Sequence, residues 1–229
     1  MDTHENQGSH LKYLIVYPDN YDPNRKYPFI IMLHGFGANM QDLAGIAPII
    51  NATGYVYSFP NAPEEMDLAP GMVGYSWTHP DRRRDPKEDA KAQVSLNEYF
   101  REVMEQYDVD PGNVVLGGFS QGGRLAYACG LANPDMFAGV IALSAAVFDP
   151  EVLVEKLPVN RTQPVFIAHG NVDMTVSVDH ARRTKVFLES KGYEPVYKEY
   201  AMGHEISRSL LSDMATWLKE VLPPLVPVI

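Results

Sequence analysis

The chain of 229 residues holds a single cysteine, Cys129. One cysteine excludes an intramolecular disulfide and a cysteine-rich metal site. Long apolar runs are missing too. The longest nearly apolar stretch, Ala138 to Phe148, falls well short of the ~18 residues a membrane-spanning helix needs. Basic residues are in the minority, with 19 Lys and Arg against 29 Asp and Glu and a formal charge of -10. Such a chain repels phosphate backbones and anionic membrane surfaces, so neither nucleic-acid binding nor stable membrane insertion is expected. The first ten residues are polar and hold no apolar core of signal-peptide length, which gives a cytoplasmic location as the expectation. No glycine-rich phosphate loop with a lysine and no cluster of metal-ligand residues stands out, so no cofactor and no metal are expected.

What remains is ordinary globular composition, 45% hydrophobic and 21% charged. The length suits one domain over residues 1–229, burying roughly 70% of the surface of the extended chain. Residues 1–10 and 223–229 are expected to be flexible or peripheral. Apolar β-rich runs alternate with helical patterns, which gives an α/β fold with a mostly parallel central sheet. The predicted strands are Leu11–Tyr17, Phe29–Leu33, Tyr55–Phe59, Val114–Phe119, Gly139–Leu143, Val165–Ala168 and Pro195–Tyr200. The middle ones are continuously apolar, as strands covered on both faces should be.

Helix signals fill the gaps. Asp85-Pro86-Lys87-Glu88 combines an N-cap, a proline at the first helical position and an acid three residues after the cap. Ala92, Leu96, Tyr99, Val103 and Tyr107 then form a core-facing stripe. Asp149 caps a shorter helix at Pro150, and Val176 to Leu188 forms another. Ile206, Leu210, Met214, Trp217 and Val221 mark a last amphipathic helix. Pro60 to Arg84 is predicted as one long loop, of the kind that usually carries function. Within it, Arg82-Arg83-Arg84 between two aspartates is expected to be solvated. Leu222 to Ile229 is apolar and Pro-rich, with three fates open: docking on the body, docking on a second subunit as a homodimer, or fraying.

The strongest chemical signal is Gly118-Phe119-Ser120-Gln121-Gly122. It follows an apolar strand and opens a helical pattern, the setting of a nucleophile elbow. Glycines two residues either side of Ser120 leave room for a strained turn that stands the hydroxyl at the carboxyl end of the sheet. A serine needs a base, and the base an orienting acid, in the chain order Ser, Asp or Glu, His on this scaffold. His204 lies on a loop after the last predicted strand and is the favoured base. His169 ends a buried strand, where a structural role suits it better, and His180 is helical. For the acid, Asp173 follows the Val165–Ala168 strand. Glu205 adjoins His204 and would diverge from it, and Asp149 is occupied as a cap. The oxyanion then needs N–H donors from the residue after the nucleophile, Gln121, and from the loop after Phe29–Leu33, at Phe36. His34 is expected to bond backbone.

These segments carry a resemblance. His34-Gly35-Phe36-Gly37, Pro60-Asn61-Ala62-Pro63, the extended serine motif through Gly123, His169-Gly170 with Asp173 and Val176, and Gly203-His204 run in order. Together they resemble the phospholipase/carboxylesterase family of α/β-hydrolases, which includes acyl-protein thioesterases and small bacterial carboxylesterases. The resemblance implies the α/β-hydrolase fold, with helices on both faces of the sheet. It also implies Ser120 as nucleophile, His204 as base, Asp173 as acid, and Phe36 and Gln121 N–H groups as oxyanion hole. A cap domain would follow the sixth strand of that fold. Ala145 to Gln163 is too short for a large one, so an open site is expected.

Met72, Tyr75 and Trp77 are the predicted substrate-binding residues, Trp77 by the resemblance; the alternative is a loop packed on its own side chains. The family's thioesterases have an aromatic and an acid after that tryptophan. Here the local sequence is Trp77-Thr78-His79, which points to a general esterase. The expected activity is a serine carboxylesterase on small or lipid-like acyl esters of short to medium chain, through an acyl-enzyme. A lysophospholipase or acyl-thioesterase is the first alternative, and a non-catalytic ligand-binding protein on the same scaffold the second.

Overall fold

The computed structural model describes residues 1–82 and 85–226. Arg83 and Arg84 of the expected solvated loop, and residues 227–229 of the tail, lie outside the described residues. Eight strands form one sheet: β1 (Asp2–Gln7), β2 (Lys12–Tyr17), β3 (Phe29–Leu33), β4 (Val56–Pro60), β7 (Val114–Phe119), β8 (Gly139–Leu143), β9 (Val165–Gly170) and β10 (Val196–Tyr200). Their spatial order is β1-β2-β4-β3-β7-β8-β9-β10. The first two pairings, β1 with β2 and β2 with β4, are antiparallel, and from β4 onward the sheet is parallel.

Among the described residues six α-helices accompany the sheet: α1 (Ala47–Ile50), α2 (Pro86–Gln106), α3 (Gln121–Gly130), α4 (Pro150–Val154), α5 (Val178–Ser190) and α6 (Arg208–Val221). Strand side chains alternate between two buried layers, because successive residues point to opposite faces. Ile31, Leu33, Val114, Leu116, Val140 and Ile167 pack with Leu96, Tyr99 and Val103 of α2, Leu125 of α3 and Leu188 of α5. Ile30, Met32, Val115, Ile141 and Phe166 pack on the other face with Ile50 of α1 and Leu210, Met214 and Trp217 of α6. Burial on both faces is what required continuous apolar runs in β3, β7, β8 and β9. Asp85 caps α2 through a bond from the Lys87 N–H (2.9 Å), as its sequence anticipates.

Three features depart from the sequence reading. Residues 2–7, expected to be flexible or peripheral with no strand assigned, form the edge strand β1, whose polar side chains are mostly exposed and whose backbone pairs with β2. Part of the predicted long loop is an antiparallel hairpin of β5 (Glu64–Ala69) and β6 (Met72–Ser76), set apart from the main sheet. Asp149 occupies the N-cap position of α4, but its side chain makes no capping bond. The C-terminal stretch docks on the body as far as it is described. Tyr55 OH donates to Leu222 O (2.6 Å), Leu225 N–H to Gly54 O (2.9 Å) and Arg25 to Val226 O (2.9 Å).

Candidate active site

Ser120 ends β7 and opens α3. Its backbone has φ 53° and ψ -113°, a left-handed conformation that costs a non-glycine residue on the order of 1–3 kcal/mol. The neighbours enforce it. Ser120 N–H donates to Leu143 O of β8 (2.9 Å), and Ser120 O accepts from Arg124 N–H (3.1 Å) as the helix begins. The turn is tight enough that a Cβ on Gly122 would stand 2.2 Å from Leu33 O, so glycine is obligatory there. The side chain is thereby held at the carboxyl end of the sheet, at the N-terminus of α3, where the helix dipole favours negative charge.

Two loops at the same end bring up the partners. The loop after β10 is tied to the loop after β9, with Asn171 N–H donating to Tyr200 O (2.9 Å) and Val172 N–H to Met202 O (3.3 Å). Gly170 lets them approach, since a Cβ there would lie 2.3 Å from both Met202 O and Gly203 O. This places His204 Nδ1 2.7 Å from Asp173 Oδ2 and His204 Nε2 2.9 Å from Ser120 Oγ. The His204 ring rests on Phe119, centroid to centroid 4.7 Å.

Asp173 divides its two oxygens. Oδ1 accepts from the N–H groups of Thr175 and Val176 (2.8 Å each), forming an Asx turn, and Oδ2 faces His204. Burial pushes its carboxyl up, but the bonds from Val176 N–H, the His204 ring and Thr175 N–H outweigh that and hold it below 3.8. An ionised Asp173 can only accept, so His204 Nδ1 carries the proton and Nε2 presents its lone pair to Ser120 Oγ–H. His169 is fully buried, donates Nε2–H to Val176 O (2.7 Å) and is driven below 6.5, chiefly by burial. It braces the Asp173 turn as a neutral ring.

The Phe36 loop is held from several sides. His34 Nδ1–H donates to Gly35 O (2.7 Å) and Nε2 accepts from Ala62 N–H (3.0 Å). Burial brings this ring down to about 4, keeping it neutral. Asn61 Oδ1 accepts from Met40 N–H (3.1 Å). Gly37 N–H donates to Tyr75 O, and Tyr75 N–H to Ala38 O, 2.9 Å each.

The three predicted substrate-binding residues sit beside the Phe36 loop. Trp77 is buried at 2% exposure, donates its indole N–H to His34 O (2.9 Å) and stacks near the His34 ring. Tyr75 is tied through its backbone to the Phe36 loop, and Met72 is exposed on β6. None of the three lines the cleft over Ser120. The pairing of β5 with β6 makes the segment a brace beside the loop. The cleft is open and measures ≈ 1140 Å³. Phe36, Ser120, Gln121, Ala145, Phe148 and Val176 supply its less polar part, and Asp81, Arg82, Asp85, Arg124 and Asp149 its charged part.

Sequence reasoning passed over the Gln121 side chain. Its Oε1 accepts from Trp77 N–H (3.1 Å), while Nε2 donates to Ser76 Oγ (3.1 Å) and Thr78 Oγ1 (3.0 Å). It clamps the start of α3 to the end of β6. Arg124 was also missed, although its place one helical turn after Ser120 was a signal for a cleft-facing side chain. Among the described residues no group of His, Cys, Asp and Glu is arranged to hold a metal ion. Nor is any helix there long and apolar enough to cross a membrane.

Comparison with known proteins places this architecture. The model of the phospholipase/carboxylesterase family matches residues 21–222. Acyl-protein thioesterase 1 of Saccharomyces cerevisiae is 31% identical over 213 residues, 84% of this chain and 92% of that protein. The protein of the same name from Kluyveromyces lactis is 28% identical over 211 residues, 84% and 91% of the two chains. Among solved structures, Arabidopsis thaliana SOBER1 superposes with a TM-score of 0.74 at 25% identity, covering 86% of this chain and 99% of the other. Esterase PE8 gives 0.78 at 24% identity, covering 91% and 97%, a likeness of fold. The chain belongs to the phospholipase/carboxylesterase family of α/β-hydrolases and is a serine hydrolase.

Proposed function

We propose that the protein is a carboxylesterase that cleaves short- to medium-chain acyl esters through a covalent acyl-Ser120 intermediate. The observation that carries this reading is the continuous Ser120–His204–Asp173 hydrogen-bond chain of 2.9 and 2.7 Å. Ser120 Oγ attacks the ester carbonyl carbon as His204 Nε2 takes its proton. Asp173 holds the imidazole in its Nδ1–H tautomer and stabilises the imidazolium. The carbonyl oxygen becomes an oxyanion held by the backbone N–H groups of Phe36 and Gln121, each donor worth about 3–4 kcal/mol in such sites. Collapse of the tetrahedral intermediate breaks the bond to the alcohol oxygen, which leaves with the proton from His204. A water molecule, deprotonated by His204, then attacks the acyl-enzyme, and Ser120 Oγ recovers the proton as the acid departs.

The cleft supports a short or polar acyl group. Among the described residues five of its lining side chains are charged, and a long alkyl chain laid along them would desolvate groups that it cannot pair. A thioester reading has its own support, because relatives across most of the chain are named acyl-protein thioesterases. The same steps apply with a thiolate leaving group.

Chain-length profiling with p-nitrophenyl esters and matched thioesters tests both. Wild type should turn over the shorter esters, and Ser120→Ala should lose at least about 10⁴-fold in kcat. Undiminished turnover by that variant would refute the mechanism. A thioester preference above tenfold at equal chain length would move the assignment to the second reading.

A further inference from the structure

A cavity of ≈ 100 Å³ lies between α2, α3 and α4, beside the catalytic cleft. Its walls are largely apolar, with Ala90, Leu125, Ala128, Val147, Val152 and Leu153 among them. The cleft over Ser120 and this cavity share Arg124, Phe148 and Asp149, whereas Asp89 lines the cavity alone. Arg124 Nη1 and Asp89 Oδ2 form an ion pair at that boundary, with side chains only 16% and 13% exposed. Among the described residues the other oxygen of Asp89, Oδ1, is buried without a hydrogen-bond partner, so this carboxylate depends on Arg124. Arg124 is itself fixed one turn after the nucleophile by its N–H bond to Ser120 O (3.1 Å).

We propose that the Arg124–Asp89 ion pair sets the upper limit on acyl chain length by walling the catalytic cleft off from the apolar cavity between α2, α3 and α4. The proposal rests on the esterase reading above. An acyl chain that extends from Ser120 along α3 meets the pair before it reaches the apolar cavity. To pass, it must separate the two charges and strip the water that remains on them. Parting a mostly buried pair leaves both charges uncompensated, which is far less favourable than exchanging the pair for apolar side chains. The wall is therefore stable against an entering alkyl chain but removable by substitution of both partners together.

The test is the acyl-length profile of kcat/KM for Asp89→Leu combined with Arg124→Met. With about 30 Å³ per methylene-sized group, the cavity admits about three groups. Each methylene newly buried is worth a factor of about four. The double variant should extend its profile by about three carbons. Its long-to-short ratio of kcat/KM should rise about ten- to sixty-fold over wild type. Ala128→Leu fills the cavity: in the double variant it should restore the shorter profile, and in wild type it should leave the profile alone. An unchanged profile in a folded, active double variant would overturn the wall. So would a shortened profile from Ala128→Leu in wild type, which decides the matter even where the double variant does not fold. A wild type that turns over no ester at all would sink the esterase reading, and the wall with it.

Discussion

Asp173 and His204 meet through one carboxylate oxygen, while the other oxygen of Asp173 closes its own turn on Thr175 and Val176. The two jobs are separable by substitution. In Asp173→Asn the side-chain oxygen can still close the turn, but an amide facing His204 would donate where the carboxylate accepted. His204 would be held in the wrong tautomer. The expected result is a fall in kcat on the order of 10⁴-fold, as for comparable triads, with thermal stability largely kept. Asp173→Ala should lose activity and also stability, roughly 1–3 kcal/mol for the two orphaned N–H groups. Thermal unfolding and single-substrate kinetics on both variants separate the roles. Equal losses of stability in the two would contradict the division.

The buried histidines set an acid limit on stability. His34 falls from 6.5 to about 4 on folding, and burial lowers His169 as well. Between these values the unfolded chain binds protons that the folded chain refuses, so stability declines as pH drops from 6.5 toward 4. His34 alone accounts for about 3 kcal/mol of that decline. Asp173 has the opposite protonation logic and a lower window. Its folded carboxyl is held below 3.8, so its contribution is present above 3.8 and disappears as pH falls through the folded value. Melting temperatures taken between pH 7 and 4 should slope downward with acid, and His34→Gln, uncharged throughout, should flatten the slope. A flat wild-type profile over that range would contradict the neutral assignment.

The arrangement of the candidate catalytic residues was legible because its constraints are local and steric. Only glycine fits at 122, where the strand turns tightly into the helix, so the pattern around Ser120 announces its geometry. His204 and Asp173 followed from chain order and from their places after β10 and β9. Strands β3, β7 and β8 were legible to the residue because burial on both faces demands apolar runs. Strand β1 was not, since an edge strand with exposed polar side chains needs only backbone pairing. The β5–β6 hairpin was hidden for the same reason: Glu64–Ala69 is mostly exposed and has no continuous apolar run. Trp77, named by the resemblance, stands just past the end of that paired strand, buried and bonded to His34 O.

Gln121 joins two roles in one residue, a candidate oxyanion N–H and a side chain tied to Ser76, Trp77 and Thr78. Gln121→Ala retains the N–H and removes the ties. With the donor free to shift, kcat should fall about ten- to hundred-fold with little change in KM. Stability should fall by roughly 1–3 kcal/mol as buried polar groups lose partners. Gln121→Glu keeps the bond from Trp77 N–H but not the two donated bonds, and should lie between. A rise in KM with kcat intact would place Gln121 in substrate binding instead.

Cys129 is buried on α3, and burial pushes its thiol up to about 12. A thiol in that state is neutral and out of reach of reagents. Native protein should not react with a chromogenic disulfide such as DTNB at neutral pH, and unfolded protein should react with one equivalent. Prompt labelling of the native protein would show that α3 opens readily.

The tightest steric demand in the site is at Gly122. A Cβ there would stand 2.2 Å from Leu33 O and 2.6 Å from His34 O. Neither backbone atom can move alone, because β3 is bonded into the middle of the sheet and His34 begins the loop that carries Phe36. Gly122→Ala must therefore push the start of α3 away from β3, separating the Gln121 N–H from the Phe36 loop. The expected outcome is a loss of about 3–5 kcal/mol, or failure to fold, which places it among the rare severe substitutions. If the variant folds, kcat should drop sharply even though no reacting group has changed. Gly45→Ala is the control. Nothing lies within 4 Å of a Cβ there, so it should change stability by no more than about 0.5 kcal/mol. Comparable losses at both positions would mean that backbone entropy, and not the contact with β3, explains the glycine at 122.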